Sequence, residues 1–410
     1  MDLLVEKLDG SRYYLSQYKV LITDFEESAP SVTRNSKQLD QRNGNIDFGG
    51  WHTDKIINIT GYYRADDIDE EETLREKLYA LLSDSDGYYI TQLKTTPSVV
   101  MERPGETSGG YYDKLSNYPS HKRFLVYTEA PEMELVGNVG GTLLYKLTAE
   151  FKTIKLPYGE SVPRYLDVKP NVPYIGTNLI VRKGELVGQM VGMDGLIAPY
   201  AQATLTPAII SVTPGEQLTM SGTEGGDNFF RYAFYDETGK TLMRSFADLK
   251  PATTVTAPAE AATFRISYPP EAQVKLERGD VATDWSPSPE DSNYNSWYAK
   301  TYYNTNNLAI PYSGTVPCNQ LEQGFNIEMA AKEASSSLSF KIDDTELTYN
   351  GSVASGDVFL FTGFSYTQNG LSIVSKTNKA YFILQPDKPN RITCNVPGTV
   401  RIIGFQNLYA

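Results

Sequence analysis

The chain has 410 residues, enough for two to four domains with separate cores, and its 37 Lys and Arg against 50 Asp and Glu give a formal charge of −13. No segment gathers a basic run, so neither nucleic acid nor an anionic membrane surface is an expected partner. No apolar stretch reaches the ~20 residues of a spanning helix, and the first residues lack the basic and apolar regions of a signal peptide, so a soluble protein is expected. Cys318 and Cys394 are the only cysteines; so sparse a pair predicts two buried free thiols rather than a disulfide framework. The 29 Tyr, with plentiful Gly, Ser, Thr and Asn, predict strands joined by tight turns.

In the first segment, strands are expected over 19–22, 55–63, 87–93, 123–129 and 142–156. Leu74, Leu78, Leu81 and Leu82 recur at helical spacing, and Asp69 with Glu72 three residues on is a capping-box pattern. The acidic run from Asp66 to Glu72 complements the helix dipole, with a cation site as the alternative. The intervals 26–50 and 95–119 are polar and rich in Gly and Pro, and read as long arms. Strands, one helix and long arms resemble the N-terminal belt domain of siphophage distal tail proteins. That resemblance implies a β-sandwich that closes a hexameric collar.

A Pro-studded stretch, 156–173, reads as an extended spacer. Strand and turn signals then follow at intervals of about ten residues, which predicts an all-β sandwich. The strands are 209–213, 217–221, 229–235, 242–246, 264–268 and 274–277, with turns at Pro214-Gly215 and Asp236-Glu237-Thr238-Gly239. Trp285 stands beside Pro287 and Pro289, which cannot continue a ladder, so the module is expected to end there with Trp285 as a plug rather than a stacking platform. The run 234–240 and the Trp285 terminus resemble the carbohydrate-binding modules of phage tail and baseplate proteins.

Alternation turns Phe230, Tyr232 and Phe234 to one side and Arg231, Ala233 and Tyr235 to the other. Arg265 points outward between Phe264 and Ile266, and Arg244 follows the 236–239 turn. If these strands are neighbours, Arg231, Tyr235, Arg244 and Arg265 form one exposed polar-aromatic face. Arginine forks bind carboxylate and phosphate, which suits the anionic polysaccharides of a Gram-positive wall; the alternative is ordinary solvated arginines. Glu277, Asp280 and Asp284 could hold a structural Ca²⁺, but the spacing is generic, and no cofactor is predicted.

The last segment carries Gly314-Thr315-Val316-Pro317, strand patterns at 337–342, 346–350, 358–361, 372–374, 380–384, 391–395 and 400–405, and hairpin markers at Asn350-Gly351, Ser355-Gly356-Asp357 and Asn369-Gly370. These, with Pro386-x-x-Pro389-Asn390-Arg391-Ile392, resemble the galectin-like C-terminal domain of the same tail proteins. The segment has no histidine, and its one tryptophan, Trp297, lies in a polar aromatic connector, so galectin-type sugar binding is not implied.

Only His52 and His121 are present, and no nucleophile–base, metal-binding or phosphate-loop motif occurs, so no enzyme is predicted. His52 is expected to pack on an aromatic ring. The fold class is mainly β in three domains: a belt β-sandwich with one helix and long arms (1–158), an inserted carbohydrate-binding-module-like jelly roll with linkers (159–296) and a galectin-like β-sandwich (297–410). The resemblance implies an enlarged siphophage distal tail protein, the structural hub of a baseplate or tail tip. Its partners would be five further copies in a homo-hexamer, the major tail (tube) protein, the tail-associated protein, a receptor-binding protein or side fibres, and host cell-wall saccharide. It would reside in the virion after assembly in the host bacterial cytoplasm. The alternatives are a dedicated carbohydrate-binding adhesin and a polysaccharide depolymerase.

Overall fold

The computed structural model describes residues 1–41, 43–94, 122–206, 209–223, 229–248 and 252–410. The architecture is mainly β, with the buried apolar side chains gathered into three large cores that follow one another along the chain.

The first core lies under an antiparallel sheet with strand order Arg12–Tyr14, Asp2–Lys7, Tyr88–Leu93, Arg123–Thr128, Thr142–Thr153, Ile56–Ala65 and Val20–Glu27. Helix Ile68–Leu82 lays Leu74, Leu78, Leu81 and Leu82 on that core, as the periodicity predicts. The helix starts two residues ahead of the expected cap. Asp67 accepts from the Glu70 amide at 2.8 Å, and the Glu70 carboxylate accepts from the Asp66 amide at 2.7 Å. The acidic run meets the protein's own cations, Glu70 with Lys19 and Glu71 with Arg75.

The interval 26–50 is not a loop. Val32–Gln38 pairs with Asn45–His52 in a two-stranded arm that is exposed along almost its whole length, with Val32, Phe48 and Trp51 open to solvent. The expected arm at 95–119 and His121 lie outside the described residues.

The stretch expected as a spacer is instead a junction. Gly159–Glu160 pairs with Arg123 on one side and with Leu408–Tyr409 on the other. Arg164–Val168 then pairs with Gly398–Phe405 and sets Val168 in the C-terminal core, because Leu166 and Val168 alternate with polar residues that face outward. Residues 159–168 of the segment expected as an inserted domain therefore belong to the sheets of its neighbours. The chain enters the C-terminal unit, leaves it after Val168 to build the middle unit, and returns through a helix. The middle unit is thus inserted within the C-terminal unit, not between it and the first. The returning helix, Tyr294–Tyr302, is the expected polar aromatic connector, and its rings touch one another, as with Tyr298 and Tyr302 at 4.6 Å between centroids.

The two ends of the insertion are tied to each other. The Asn178 amide group donates to the carbonyls of Val274 at 3.1 Å and Ser286 at 2.9 Å, and its oxygen accepts from the amides of Ile180 and Leu276. The Arg182 amide donates to Asp291 at 2.8 Å. Trp285 is half-buried at this seam and donates its ring N–H to the Val274 carbonyl at 3.3 Å. Between the ends stand two sheets, one of Leu186–Val191, Ile197–Leu205, Thr263–Tyr268, Phe229–Tyr235 and Thr241–Asp248, the other of Thr253–Thr256, Gln217–Gly222 and Val274–Arg278.

In the C-terminal unit, Arg164–Val168, Gly398–Phe405, Asn326–Ala331, Val358–Phe361, Tyr366–Gln368 and Leu371–Ser372 form one sheet. Leu308–Ala309, Arg391–Cys394, Leu338–Ile342 and Thr345–Tyr349 form the other. Asn369-Gly370 makes the expected two-residue hairpin, both residues having positive φ, 51° and 79°. Asn350-Gly351 does not; Asp343-Asp344 turns that chain instead. Cys318 and Cys394 are buried free thiols, pushed by burial up to about 12 and about 11.

Arg123 binds Glu160 through Nε at 3.0 Å and Nη2 at 2.9 Å, and reaches Glu6 through Nη1 at 3.0 Å. Burial nevertheless lifts the Glu160 carboxyl above its ordinary value, with Arg123 offsetting part of the shift. A raised carboxyl contributes most below its unfolded-state value, and that contribution is lost as pH rises through the folded-state value. The melting temperature of the wild type relative to Glu160→Gln is therefore expected to fall as pH rises from ~4, the ordinary glutamate value, towards neutrality. A calorimetric difference flat across that range would remove Glu160 as the source.

Candidate functional site

The strands that carry the four singled-out residues are neighbours. Ala233 lies opposite Arg244 on one side and Arg265 on the other, and Arg231 lies opposite Ser267. Directly opposed residues share a face of the sheet, so all the singled-out side chains share one. The face is not open, however. The hairpin of Leu186–Val191 and Ile197–Leu205 folds over it, the Val191 amide donating to Ser267 Oγ at 3.2 Å. Val191 and Leu205 then bury Ala233 and Tyr235 in a small fourth cluster. The apolar side chains of that hairpin need cover, and the small Ala233 and Ser267 leave room for them.

The expected exposed face is thereby divided. Tyr235 is buried, and its hydroxyl donates to the Gly195 carbonyl at 2.6 Å. Burial pushes that hydroxyl up, which keeps it a neutral donor, while nearby Arg265 pulls the other way. Arg265 is partly buried, Arg244 is exposed on the outer strand, and Arg231 sits beyond the covered Ala233.

Where the hairpin turn lifts from the sheet it leaves a cleft of about 270 Å³. Tyr235, Thr263 and Arg265 line it from the sheet, Leu196 and Ile197 from the hairpin, and Ile209 from the strand edge. Of the four singled-out residues, the cleft brings together Tyr235 and Arg265. The sequence reading missed the hairpin, although Asp194-Gly195 between two apolar runs is a two-residue turn signal.

Gly195 fits its place for two reasons. Its φ is +84°, and a Cβ there would lie 2.4 Å from the Thr241 methyl. Each carboxylate beside the cleft has one oxygen engaged by its own turn. Asp194 accepts from the Leu196 amide at 2.9 Å, and Asp236 accepts from the Thr238 amide at 2.8 Å and the Lys240 amide at 3.0 Å.

The other sequence candidates are structural. His52 Nδ1 stands 2.8 Å from the Tyr158 hydroxyl in an edge-on ring contact, which supplies the expected aromatic partner from the junction. Lys275 fills the position considered for a cation: its ammonium lies 3.2 Å from Glu277 and donates to Thr283 at 2.7 Å and to the Asp284 carbonyl at 2.6 Å. No group of three or more His, Cys, Asp or Glu among the described residues could hold a metal ion. No helix among them is long and apolar enough to cross a membrane.

Residues 8–134 match the model of the phage tail protein RIFT-related domain. This part of the chain is similar to that phage tail domain. The match takes in the exposed arm and part of the first core, whose strands Asp2–Lys7 and Thr142–Thr153 lie outside it. Among solved structures, the chain is similar to the Dit (gp 19.1) protein of phage SPP1, described as a paradigm of hub adsorption apparatus in Gram-positive infecting phages, with 9% identity over 100% of this chain and 99% of that one and a TM-score of 0.47. It is also similar to a chain of the phage P2 baseplate in its activated conformation with Ca, with 10% identity over 69% of this chain and 99% of that one and a TM-score of 0.28. No curated protein sequence matches it.

The geometry of the cleft makes Gly195 its most sensitive wall position. Gly195→Ala should cost about 2 kcal/mol from the left-handed backbone alone, and more if Thr241 cannot move. Calorimetry of the full chain should show one transition lowered and the others unmoved; an unchanged trace would refute the assignment.

Proposed function

We propose that this phage tail protein is the hub of the tail tip, a hexameric ring that joins the tail tube to the tail-associated protein and to receptor-binding proteins or side fibres. The observation that carries the reading is the Val32–Gln38/Asn45–His52 arm of the phage tail domain. A two-stranded ribbon is marginal in water by itself, and one that exposes Val32, Phe48 and Trp51 needs a surface to cover them. A neighbouring copy in a closed ring supplies that surface to every arm at once.

In this reading the middle unit reaches outward and binds host cell-wall saccharide at the cleft beside Arg265 and Tyr235. The cleft supports it because it is concave and mostly aliphatic, with few polar groups, as small-ligand sites are. An adhesin in which this binding is the whole function would need no ring, so assembly separates the two readings.

Mass photometry and sedimentation of the full chain should find a species six times the 45.6 kDa chain. Phe48→Ser/Trp51→Ser should shift it to the monomer. A wild type that stays monomeric even at high concentration and with tail-tube protein present would defeat the hub reading. In pull-downs with host cell walls, Arg265→Ala should lose binding and Arg231→Ala should keep it. The opposite pattern would move the site off the cleft.

A further inference from the structure

The cleft also carries information about what kind of sugar it takes. This inference rests on the saccharide reading above and narrows it. Three features of the cleft set the class of ligand.

The first is size. About 270 Å³ falls just below the usual range of small-molecule sites, enough for one ring and its substituents but not for a run of sugar units. The second is the wall. Leu196, Ile197 and Ile209 are 61%, 44% and 53% exposed, three aliphatic side chains around one opening. Neutral sugar chains are held by stacking on open aromatic faces. Tyr235, the one ring that lines this cleft, is buried with its hydroxyl committed to Gly195. The wall offers cover for a methyl or acetyl group instead.

The third feature is charge. Arg265 is partly buried and makes no hydrogen bond or ion pair among the described residues. The carboxylates of the two adjoining turns, Asp194 and Asp236, accept turn amides through Oδ1, and neither pairs with Arg265. Glu237 and Lys240 add one charge of each sign on the same turn and cancel. A partly desolvated guanidinium without an anion is costly, and an arriving anion would relieve that cost with a forked, charge-assisted pair. Arg244 lies two strands away on the same face, roughly 10 Å off, and leaves the rim positive.

We propose that the cleft takes a single acidic sugar unit bearing an acetyl or methyl substituent, its carboxylate or phosphate on Arg265 and its substituent against Leu196, Ile197 and Ile209. The site reads one unit at an end or on a branch, not the length of a chain. Binding weakens with salt, because the pair sits near the surface.

The test uses the full chain and four probes in saturation-transfer NMR and calorimetry: N-acetylmuramic acid, N-acetylglucosamine 1-phosphate, N-acetylglucosamine and glucuronic acid. At least one of the first two should bind about tenfold more tightly than the last two, and which one does identifies carboxylate or phosphate as the anion. Arg265→Ala should abolish that preference. Leu196→Asp, at an exposed position that cannot unfold the unit, should repel the same ligands, and Arg231→Ala should change nothing. Equal binding of N-acetylglucosamine overturns the acidic class, and equal binding of glucuronic acid overturns the role of the aliphatic wall. Wall binding without binding of any of the four overturns the single-unit inference and leaves the saccharide reading standing. Failure to bind walls as well as sugars overturns both.

Discussion

Everything else in this chain is arranged around a strand of two residues. Gly159 and Glu160 are hydrogen-bonded on one side to Arg123 of the phage tail domain and on the other to Leu408 and Tyr409, close to the last residue. A strand of two residues contributes little by itself, even when paired on both sides. The fixed geometry comes from Arg123, which grips Glu160 and Glu6 together and lies 3.8 Å over the Tyr89 ring. One guanidinium thus joins three strands that are far apart in sequence. The consequence is that the beginning and end of the chain share one sheet, and the phage tail domain and the C-terminal unit cannot separate without exposing that sheet's edge.

That constraint explains the form of the insertion. Arg164–Val168 already belongs to the C-terminal sheet, so whatever follows Val168 must start and finish beside it. Asn178 meets the requirement with one side chain, using both its donors and its acceptor on backbone groups from the entry and the exit of the middle unit. Four buried backbone groups depend on it, which is why no apolar residue of the same size could serve. A unit clasped in this way adds a surface to the chain without breaking a ladder in either neighbour.

The sequence made much of this legible and hid the rest for identifiable reasons. Strands with strict alternation, such as Phe229–Tyr235 and Val358–Phe361, appear with the expected limits. The helix face of Leu74, Leu78, Leu81 and Leu82 was equally plain. The junction was not, because prolines at 157, 163, 170 and 173 mask two short strands whose partners lie at the far end of the chain. Local pattern cannot report a pairing across more than two hundred residues. The candidate face failed in the same way. Alternation correctly put Arg231, Tyr235 and Arg265 on one side, but nothing local to those strands says that another hairpin lies on top of them.

Two cations of the middle unit show what covering that face achieves. Lys275 is fully buried, and burial pulls its ammonium down, yet Glu277, Thr283 and the Asp284 carbonyl surround it. It is a closed site, complete in itself, and it occupies the acidic corner that the sequence marked for a metal. Arg265 is the opposite case. The hairpin has taken away part of its water, and Asp194 and Asp236 turn one oxygen each to their own turn amides. One cation is satisfied inside the fold and the other is left facing a cleft. In a chain with a net charge of −13, a partly desolvated positive group at the mouth of a concave aliphatic site is where binding chemistry is to be sought.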